Sequence, residues 1–468
     1  MTDRKVLVPR KAFLLVILTA LIPLRASAAD IDWNKAGQQA AELLSAYVRI
    51  DTTNPPGNET AAAKFLAAHF EQAGIENQVL ESAQGRGIVV ARLQGSGEKR
   101  PVVLLSHLDV VPADPAGWKV PPFSGLIRDG YVWGRGAMDC KGVGSVNATA
   151  MIAMKHAGVK LERDVIFVGT GDEEVGGQLG AGWFAAHELG LLHNAEFLLN
   201  EGGAIRRRPD GSRVYEVAVS EKIPCWLRVT ATGEGGHGAA PQPETAVTRL
   251  VAALDRIHHY QPEIRVVPEV EAYYAALAGM IDGPRRERYR DLKAALEDAS
   301  FRRQFLSDRH DAALVRDTVA PTVLKGSSKT NVIPRSASAE LDCRLLPDED
   351  PDAFIRALQR VVKDDDVHFE KLLSFPPSSS PADTALYRAI QRVAESERTR
   401  VIPSVLTGFT DSHYFRDHGI TSYGFTPFVF TEEDEGLEHG INERLSLDNL
   451  RDGTRRLVEI LQALDQES

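Results

Sequence analysis

The chain has 468 residues, 43% of them hydrophobic and 7% aromatic, and its 54 basic and 65 acidic side chains give a formal charge of −11. This composition excludes a disordered or fibrous protein, and the length predicts two or three domains with a sizeable core. Because an acidic surface repels phosphate backbones, we expect small molecules or peptides as ligands and no nucleic acid.

The first 28 residues have the pattern of a secretory signal peptide. An apolar run at residues 12–24 is preceded by four basic side chains, Arg4, Lys5, Arg10 and Lys11. The run is too short to cross a hydrocarbon core, which takes about 20 residues, and Ala26-Ser27-Ala28 is a cleavage site for signal peptidase. We therefore expect a secreted or periplasmic protein, cleaved near Ala28, without stable membrane insertion. A retained N-terminal anchor is the alternative.

Residues 29–222 alternate helix-like and strand-like segments. The helix-like segments are residues 33–47, 59–73, 142–156 and 180–189. The strand-like segments are short apolar runs at residues 87–93, 102–105, 165–168 and 197–199. Buried strands separated by helices predict an α/β domain with a mostly parallel sheet that is covered on both faces. Such domains bind ligands at the carboxyl ends of their strands.

Residues 223–374 predict a second, smaller domain of βαββαβ order. Its strands are predicted at residues 226–232, 321–325, 336–345 and 367–373, and its helices at residues 245–258 and 352–362. Within it, residues 262–320 are charged and helix-like, and they predict an inserted helical arm. The apolar anchors of the arm are Tyr273, Tyr274, Leu277, Leu292, Leu296, Phe301 and Phe305.

The Pro/Ser-rich stretch at residues 375–382 predicts a linker back to the first domain. Helical periodicity then returns at residues 384–397 and 447–464, on either side of a short strand at residues 420–425. The first domain is therefore expected to be completed by residues 375–468.

Candidate metal ligands begin at the end of the second apolar run, in LLSHLDVVP. His107 can bind a metal ion there while Asp109 takes the other ring N–H and fixes the tautomer; a surface turn explains the pair equally well. The next segment, DGYVWGRGAMDCKG at residues 129–142, surrounds Asp139 with glycines, which let the backbone approach a site closely. Asp139 can bridge two cations, or it can cap a helix.

Two further segments place carboxylates after apolar runs. GTGDEEVGG at residues 169–177 contains Glu173 and Glu174, which repel each other unless a cation or a shared proton relieves them. Such a pair suggests one general base and one metal ligand, and a solvated acidic turn is the alternative. Glu201 follows the fourth apolar run, and His439 lies near the C terminus.

Two histidines and three carboxylates thus form a candidate ligand set: His107, Asp139, Glu174, Glu201 and His439. This set fits two zinc-like divalent ions that share a bridging aspartate. The three cysteines are too few for a disulfide framework and match no cysteine-based zinc site. They are Cys140, Cys225 and Cys343.

With these motifs, the sequence resembles the dinuclear zinc exopeptidase and deacylase family. That family includes carboxypeptidase G, aminoacylase, acetylornithine deacetylase, succinyl-diaminopimelate desuccinylase and the glycine-X carboxypeptidases. The resemblance spans essentially all of the chain after the signal peptide. WKVPPFSG at residues 118–125, WGRGAMD at residues 133–139 and the helical arm resemble the glycine-X carboxypeptidase and N-acyl amino acid hydrolase branch. The resemblance implies an α/β fold with a mostly parallel-sheet catalytic domain and an inserted βαββαβ lid and dimerisation domain.

The resemblance also implies two Zn²⁺ ions per subunit, or Co²⁺ or Mn²⁺ in their place. The implied ligands are His107 and Glu201 for one ion, Glu174 and His439 for the other, and Asp139 for both. Asp109 would orient His107, and Glu173 would be the general base. In several relatives an aspartate precedes the position of Glu201, where this chain has Asn200.

The lid adds three residues by resemblance. GEGGHGAAPQ contains His237, which in dimeric relatives reaches the partner's active site and binds the oxygen that becomes negative; the residues alone favour an exposed loop histidine. Asn331, in TNVIP, is similar to a substrate-binding asparagine. Arg344, in LDCRLLP, suits a terminal carboxylate held bidentately, or it pairs with Glu340 or Asp342 on the lid surface.

The implied activity is hydrolysis of an amide bond by a metal-activated water. The leading candidate is a carboxypeptidase that acts on short peptides or a hydrolase of N-acyl amino acids. The second candidate is an N-acetyl or N-succinyl amino acid deacylase similar to acetylornithine deacetylase. A catalytically silent zinc-binding domain is the alternative from another class. The lid would form a homodimer as in dimeric relatives, and a bridge between Cys225 and Cys343 is left open. GFTDSHYF at residues 408–415 resembles the family's glycine-rich pocket loop, with Gly408-Phe409 in place of a glycine pair.

Overall fold

The structure is a computed structural model that describes residues 1–2, 31–208 and 211–467. The predicted signal peptide therefore lies, apart from its first two residues, outside the described residues. Within the described ranges, no helix combines the length and the apolar character needed to cross a bilayer.

The helices of the described chain begin mostly at polar caps, as for α1, where the Asp32 side chain accepts from two backbone amides of the first turn. The helices are α1 (Trp33–Val48), α2 (Glu59–Gln72), α3 (Lys141–Ala157), α4 (Ala181–His187), α5 (Ala246–His259), α6 (Pro268–Ala278), α7 (Pro284–Arg290), α8 (Leu292–Ala295), α9 (Ala299–Phe305), α10 (Arg309–Leu314), α11 (Pro351–Val362), α12 (Ala385–Ser396), α13 (Ser412–Arg416) and α14 (Leu447–Gln466).

The strands form one large sheet and three smaller ones. In chain order they are β1 (Glu76–Ala83), β2 (Arg86–Leu93), β3 (Lys99–His107), β4 (Leu126–Arg128), β5 (Tyr131–Trp133), β6 (Arg163–Thr170), β7 (Phe197–Asn200), β8 (Ala204–Arg207), β9 (Arg213–Glu221), β10 (Ile223–Thr232), β11 (Gly236–His237), β12 (Thr318–Lys325), β13 (Val332–Ile333), β14 (Ser336–Leu345), β15 (Val367–Ser374), β16 (Arg400–Leu406), β17 (Thr421–Gly424), β18 (Val429–Phe430) and β19 (Arg444–Ser446).

The large sheet has the order β1-β2-β6-β3-β7-β17-β9-β8-β18, and β16 also pairs with β9. Its central strands β6, β3, β7 and β17 are parallel to one another, whereas β1 and β2 at one edge are antiparallel. The predicted mostly parallel sheet is therefore confirmed. The sequence analysis did not predict β1, β8, β9 or β16.

Both faces of the large sheet are buried, as the continuous apolar runs predicted. Along β3, Val102 and Leu104 pack into the core formed with α1, α3 and α14, and Val103 and Leu105 pack into the core formed with α4 and α13. This alternation follows from the two-residue period of side chains in a strand. The large sheet is therefore a buried layer between two sets of helices.

The predicted βαββαβ lid forms a separate four-stranded antiparallel sheet of order β12-β14-β10-β15. Helices α5 and α11 cover this sheet with a core of their own. Cys225 and Cys343 lie buried in that core on the adjacent strands β10 and β14, and both are free thiols.

The predicted helical arm consists of α6 to α10, and all seven of its predicted anchors lie in one apolar cluster. Val405 of β16 belongs to the same cluster, so the arm packs against the catalytic sheet. The arm has a polar contact as well, since the Tyr274 hydroxyl donates to Asp311 Oδ1 at 2.6 Å.

Lys222 joins the catalytic sheet, the lid and the arm. It lies between β9 and β10, is 1% exposed, and donates from Nζ to the carbonyl oxygens of Ala313 (2.8 Å) and Arg316 (2.7 Å). Burial lowers the pKa of Lys222 to about 7, because a charged ammonium loses its hydration there. Above neutral pH the neutral amine is therefore favoured in the folded protein.

Replacing Lys222 with methionine should change how stability depends on pH. Between pH 7 and about 10.5 the unfolded chain carries a proton on Lys222 that the folded chain does not, so wild-type stability should rise with pH. Relative to Lys222→Met, the free energy of unfolding should rise by up to about 1.4 kcal/mol per pH unit across this window. Denaturant unfolding of both proteins at pH 7, 8.5 and 10 measures this, and a difference independent of pH would contradict it.

Candidate metal centre

The candidate site lies where parallel strands of the large sheet end. β3 ends at His107, Glu173 begins a short 3₁₀ turn just after β6, and Glu201 follows β7. Because β6, β3 and β7 are adjacent and parallel, their carboxyl ends meet at one edge of the sheet. Asp139 comes from the loop before α3, and His439 from the loop before β19.

Asp139 lies between the two histidines and contacts each with a different oxygen. Its Oδ1 is 2.7 Å from His107 Nε2, and its Oδ2 is 2.8 Å from His439 Nε2. Glu201 Oε1 is 3.4 Å from His107 Nε2, and Glu174 Oε2 is 3.3 Å from His439 Nε2. The structure thus brings all five candidate ligands together as two groups that share one carboxylate.

The chemistry of these donors fits two divalent cations. Imidazole nitrogens and carboxylate oxygens are the ligands of zinc sites, and each group here offers both kinds. Ligand atoms of His107, Asp139 and Glu174 all lie within 4.8 Å of one another. Cys140 was not among the predicted candidates, yet its thiol forms a second such group with His107 and Glu201. No signal in the sequence marked this thiol, because no other cysteine lies near Cys140 in the chain.

The raised pKa values at the site show that its buried carboxyl groups are destabilised when they are ionised. Burial raises the pKa of Glu201 to about 8, and burial also raises the pKa of Glu173 well above its usual range. Hydrogen bonds that the His439 ring donates to the Asp139 and Glu174 carboxylates raise the pKa of His439 to about 11. Carboxylates crowded in a poorly hydrated site are stabilised by protons or by metal cations, so this arrangement favours bound cations.

Asp109 contacts both His107 and the turn that carries Glu173 and Glu174. Its carboxylate accepts from the backbone amides of Glu173 and Glu174, each at 3.2 Å, and from Asn54 Nδ2 at 2.8 Å. His107 Nδ1 is 3.0 Å from the backbone carbonyl oxygen of Asp109 and 3.5 Å from its Oδ1. The main chain of Asp109 therefore makes the shorter contact with the imidazole.

Glu443 was missed by the sequence analysis, although it lies only four positions after His439. It is fully buried, and its Oε1 accepts from the amides of Met138 (2.8 Å) and Asp139 (3.2 Å). Its Oε2 accepts from Arg135 Nη1 at 2.6 Å, and Arg135 Nη2 donates to the His439 carbonyl at 3.1 Å. Glu443 and Arg135 thus tie the loop of Asp139 to the loop of His439.

A cavity of about 370 Å³ is lined by four of the five candidate ligands and by residues of the lid. Its lining includes Glu173 and Glu174 and, on other segments, Trp226, Arg344 and Phe409. The Arg344 guanidinium lies 5.0 Å from the centre of the Phe409 ring. It also pairs with Asp342, from Nε to Oδ1 at 2.7 Å and from Nη2 to Oδ2 at 3.2 Å. Arg344 thus pairs with Asp342 on the lid, which is one of its two predicted roles. It also lines the cavity, where the other role, binding of a terminal carboxylate, would require it to be.

His237 and Asn331 do not line this cavity. Both are exposed, at a two-stranded ribbon in which β11 pairs with β13. The Asn331 carbonyl accepts from the Gly238 amide at 2.9 Å, and His237 Nδ1 accepts from the Ala239 amide at 3.0 Å. The two residues are therefore neighbours on the lid, and neither of them lines the cavity.

The segment that resembles the glycine-rich pocket loop does line the cavity, through Gly408, Phe409 and Thr410. The Thr410 hydroxyl donates to Glu221 Oε1 at 2.8 Å, and Thr170 donates to Asp411 Oδ2 at 2.7 Å. These contacts fix the loop between the catalytic sheet and the start of the lid.

Comparisons with known proteins agree with this site. A model of the peptidase family M20/M25/M40 matches residues 103–463. The N-fatty-acyl-amino acid synthase/hydrolase PM20D1 of Xenopus tropicalis is 30% identical over 455 residues, covering 93% of this chain and 87% of the relative. Aminoacylase-1 of Mus musculus is 30% identical over 429 residues, covering 90% and 94%.

Solved structures show the same fold. The dipeptidase Dug1p from Saccharomyces cerevisiae superposes with a TM-score of 0.73 at 15% identity, covering 95% of this chain and 100% of that one. The M20 family metallo-carboxypeptidase Sso-CP2 from Sulfolobus solfataricus gives a TM-score of 0.71 at 18% identity, covering 91% and 99%. The resemblance inferred from the motifs is confirmed: the chain belongs to peptidase family M20/M25/M40, and it is a metal-dependent hydrolase of that family.

Proposed function

We propose that this protein hydrolyses the amide bond of N-acyl amino acids, or releases C-terminal residues from short peptides. The observation that carries the proposal is Asp139, shared between two histidine–carboxylate groups and lying beside Glu173 in a cavity. We assign His107 and Glu201 to one cation and Glu174 and His439 to the other, with Asp139 binding both. Zinc is the proposed metal, and cobalt or manganese would suit the same donors.

Glu173 is the proposed general base. Two divalent cations in this site would lower the pKa of a water molecule and polarise the scissile carbonyl group. Glu173 lines the cavity, and its backbone amide donates a hydrogen bond to the Asp109 carboxylate, which fixes its position. Its carboxylate can therefore take a proton from the attacking water. The same carboxyl group then returns the proton to the leaving amine.

Arg344 is the proposed recognition group for a free carboxylate on the substrate. Its guanidinium lines the cavity beside Trp226 and Phe409, and a planar guanidinium binds carboxylates through paired hydrogen bonds. This favours substrates that end in a carboxylate, as C-terminal residues and N-acyl amino acids do. The relative PM20D1 is named an N-fatty-acyl-amino acid synthase/hydrolase, which supports N-acyl amino acids as the substrates.

A homodimer through the lid is also proposed. His237 and Asn331 lie outside their own cavity, so they would contribute to catalysis or substrate binding only in a partner subunit. The outer side of the lid also exposes Val247, Val251 and Leu324, which a partner would cover. Secretion to the periplasm or the medium rests on the predicted signal peptide.

Replacing Glu173 with glutamine should separate catalysis from metal binding. The variant keeps the five proposed ligands but loses the proton acceptor, so hydrolysis should fall by about 10²- to 10⁴-fold while metal content stays unchanged. Glu174→Gln is the matched comparison and should lose metal. Turnover of an N-acyl amino acid and metal analysis of both variants provide the measurement. If Glu173→Gln lost metal and Glu174→Gln kept it, the two roles would be exchanged.

Removing the metal should abolish hydrolysis reversibly. After treatment with a chelator the protein should be inactive, and adding Zn²⁺ should restore turnover of N-acyl amino acids or C-terminal dipeptides. Activity that persists in metal-free protein would exclude the proposed mechanism. Protein that binds two zinc ions but hydrolyses neither substrate class would instead be a silent metal-binding domain.

Replacing Glu443 with glutamine should weaken metal binding. The side chain keeps its shape but loses the ion pair with Arg135, which holds the loops of Asp139 and His439 together. Loss of such a supporting group typically weakens metal affinity by about 10- to 100-fold. Competition with a chromogenic zinc chelator measures the affinity, and Glu435→Gln, an exposed carboxylate in the same loop, is the control. Equal zinc affinity in both variants would show that the Glu443–Arg135 ion pair does not support the metal site.

A further inference from the structure

Arg206 is a second arginine on the wall of the proposed active-site cavity. It lies on β8, which begins shortly after Glu201, and it lines the cavity together with Glu173 and Glu201. Its neighbour Arg207 lines a different cavity, as the alternation of side chains along a strand requires. The position of Arg206 is therefore set by the strand that follows a metal ligand.

The Arg206 guanidinium is open to the cavity. Its side chain is 51% exposed, and its Nε lies 3.6 Å from Glu216 Oε2, which is longer than a hydrogen bond. Phe430 is its partner on the adjacent strand β18, and the ring centre lies 5.9 Å from the guanidinium carbon. Phe430 lines the same cavity, so the two side chains form one patch with an apolar base and a cationic end.

Arg206 differs in this respect from Arg344. Two nitrogens of Arg344 are engaged by the Asp342 carboxylate at 2.7 and 3.2 Å, whereas Arg206 pairs with Glu216 at the longer distance of 3.6 Å. The Glu438 carboxylate, which lines the same cavity, also interacts electrostatically with Arg206. The two arginines also come from different parts of the fold, since Arg344 lies on the lid strand β14 and Arg206 on the catalytic sheet. One cavity thus has a guanidinium on its lid wall and another on its catalytic wall.

We infer that Arg206 and Phe430 form a second anion-binding subsite, and that the preferred substrates carry two carboxylates. This inference rests on the proposed function, in which Arg344 binds the carboxylate of the amino acid. The second carboxylate would lie on the part of the substrate that faces the catalytic wall, as in an N-acyl amino acid whose acyl chain ends in a carboxylate. A planar guanidinium binds such a group through two parallel hydrogen bonds, and the Phe430 ring packs against the methylene chain that leads to it.

A binding measurement tests the subsite without relying on turnover. The probes are N-glutaryl-leucine and N-pentanoyl-leucine in which an alkene isostere replaces the scissile amide, titrated calorimetrically into the zinc-loaded full-length protein. Wild-type protein should bind the glutaryl probe about 10- to 100-fold more tightly than the pentanoyl probe. Arg206→Gln should abolish this preference, and Arg207→Gln, the neighbour that faces the other cavity, should retain it. The inference is overturned if wild type shows no preference, or if Arg206→Gln keeps it.

Hydrolysis of the corresponding amides separates this inference from the proposed function. For wild type, the lower KM should belong to N-glutaryl-leucine, and Arg206→Gln should raise that KM about 10- to 100-fold with little change in kcat or in the hydrolysis of N-pentanoyl-leucine. An equal loss on both substrates would overturn the subsite. If wild type hydrolysed neither amide, the proposed hydrolysis of N-acyl amino acids would fail, while the binding preference would still decide the role of Arg206.

Discussion

The structure depends on the Asp139 carboxylate, which lies between two histidines from distant parts of the chain. His107 ends a central strand of the large sheet, whereas His439 comes from the loop before β19. Each imidazole approaches one oxygen of the same carboxylate, and one glutamate stands beside each imidazole. Several carboxylates are therefore forced together in a poorly hydrated place, which costs free energy unless positive charge compensates them. The fold maintains this costly arrangement through Asp109 on one side and the Glu443–Arg135 pair on the other.

The part of the site that follows the parallel strands could be predicted from the sequence. Continuous apolar runs mark buried strands, and the residues after them must lie together at one edge of the sheet. The position of His439 could not be derived in this way, because no apolar run precedes it; the motif resemblance supplied it. The same resemblance placed His237 and Asn331, which the single subunit leaves exposed and away from the cavity.

The missed features have physical reasons. β1 is an edge strand with half of its side chains in contact with water, so it lacks a continuous apolar run. β16 contains Pro403, which argues against a strand in a sequence pattern. In the sequence, Glu443 does not differ from other charged residues near the C terminus. Only the folded chain shows that both of its oxygens accept hydrogen bonds from buried donors. Spacing in the sequence carries information on neighbours along a strand or helix, but none on partners that meet across loops.

The order of the ligands along the chain has a consequence for biosynthesis. The first four are translated before residue 202, whereas the last one follows the lid, the arm and the return segment. A nascent or truncated chain that ends before His439 can build most of the parallel sheet, yet it lacks the imidazole of one cation position and the Glu443 anchor of Asp139. Such a fragment has no complete pair of the proposed cation positions, so we expect hydrolytic competence only when almost the entire polypeptide has been made.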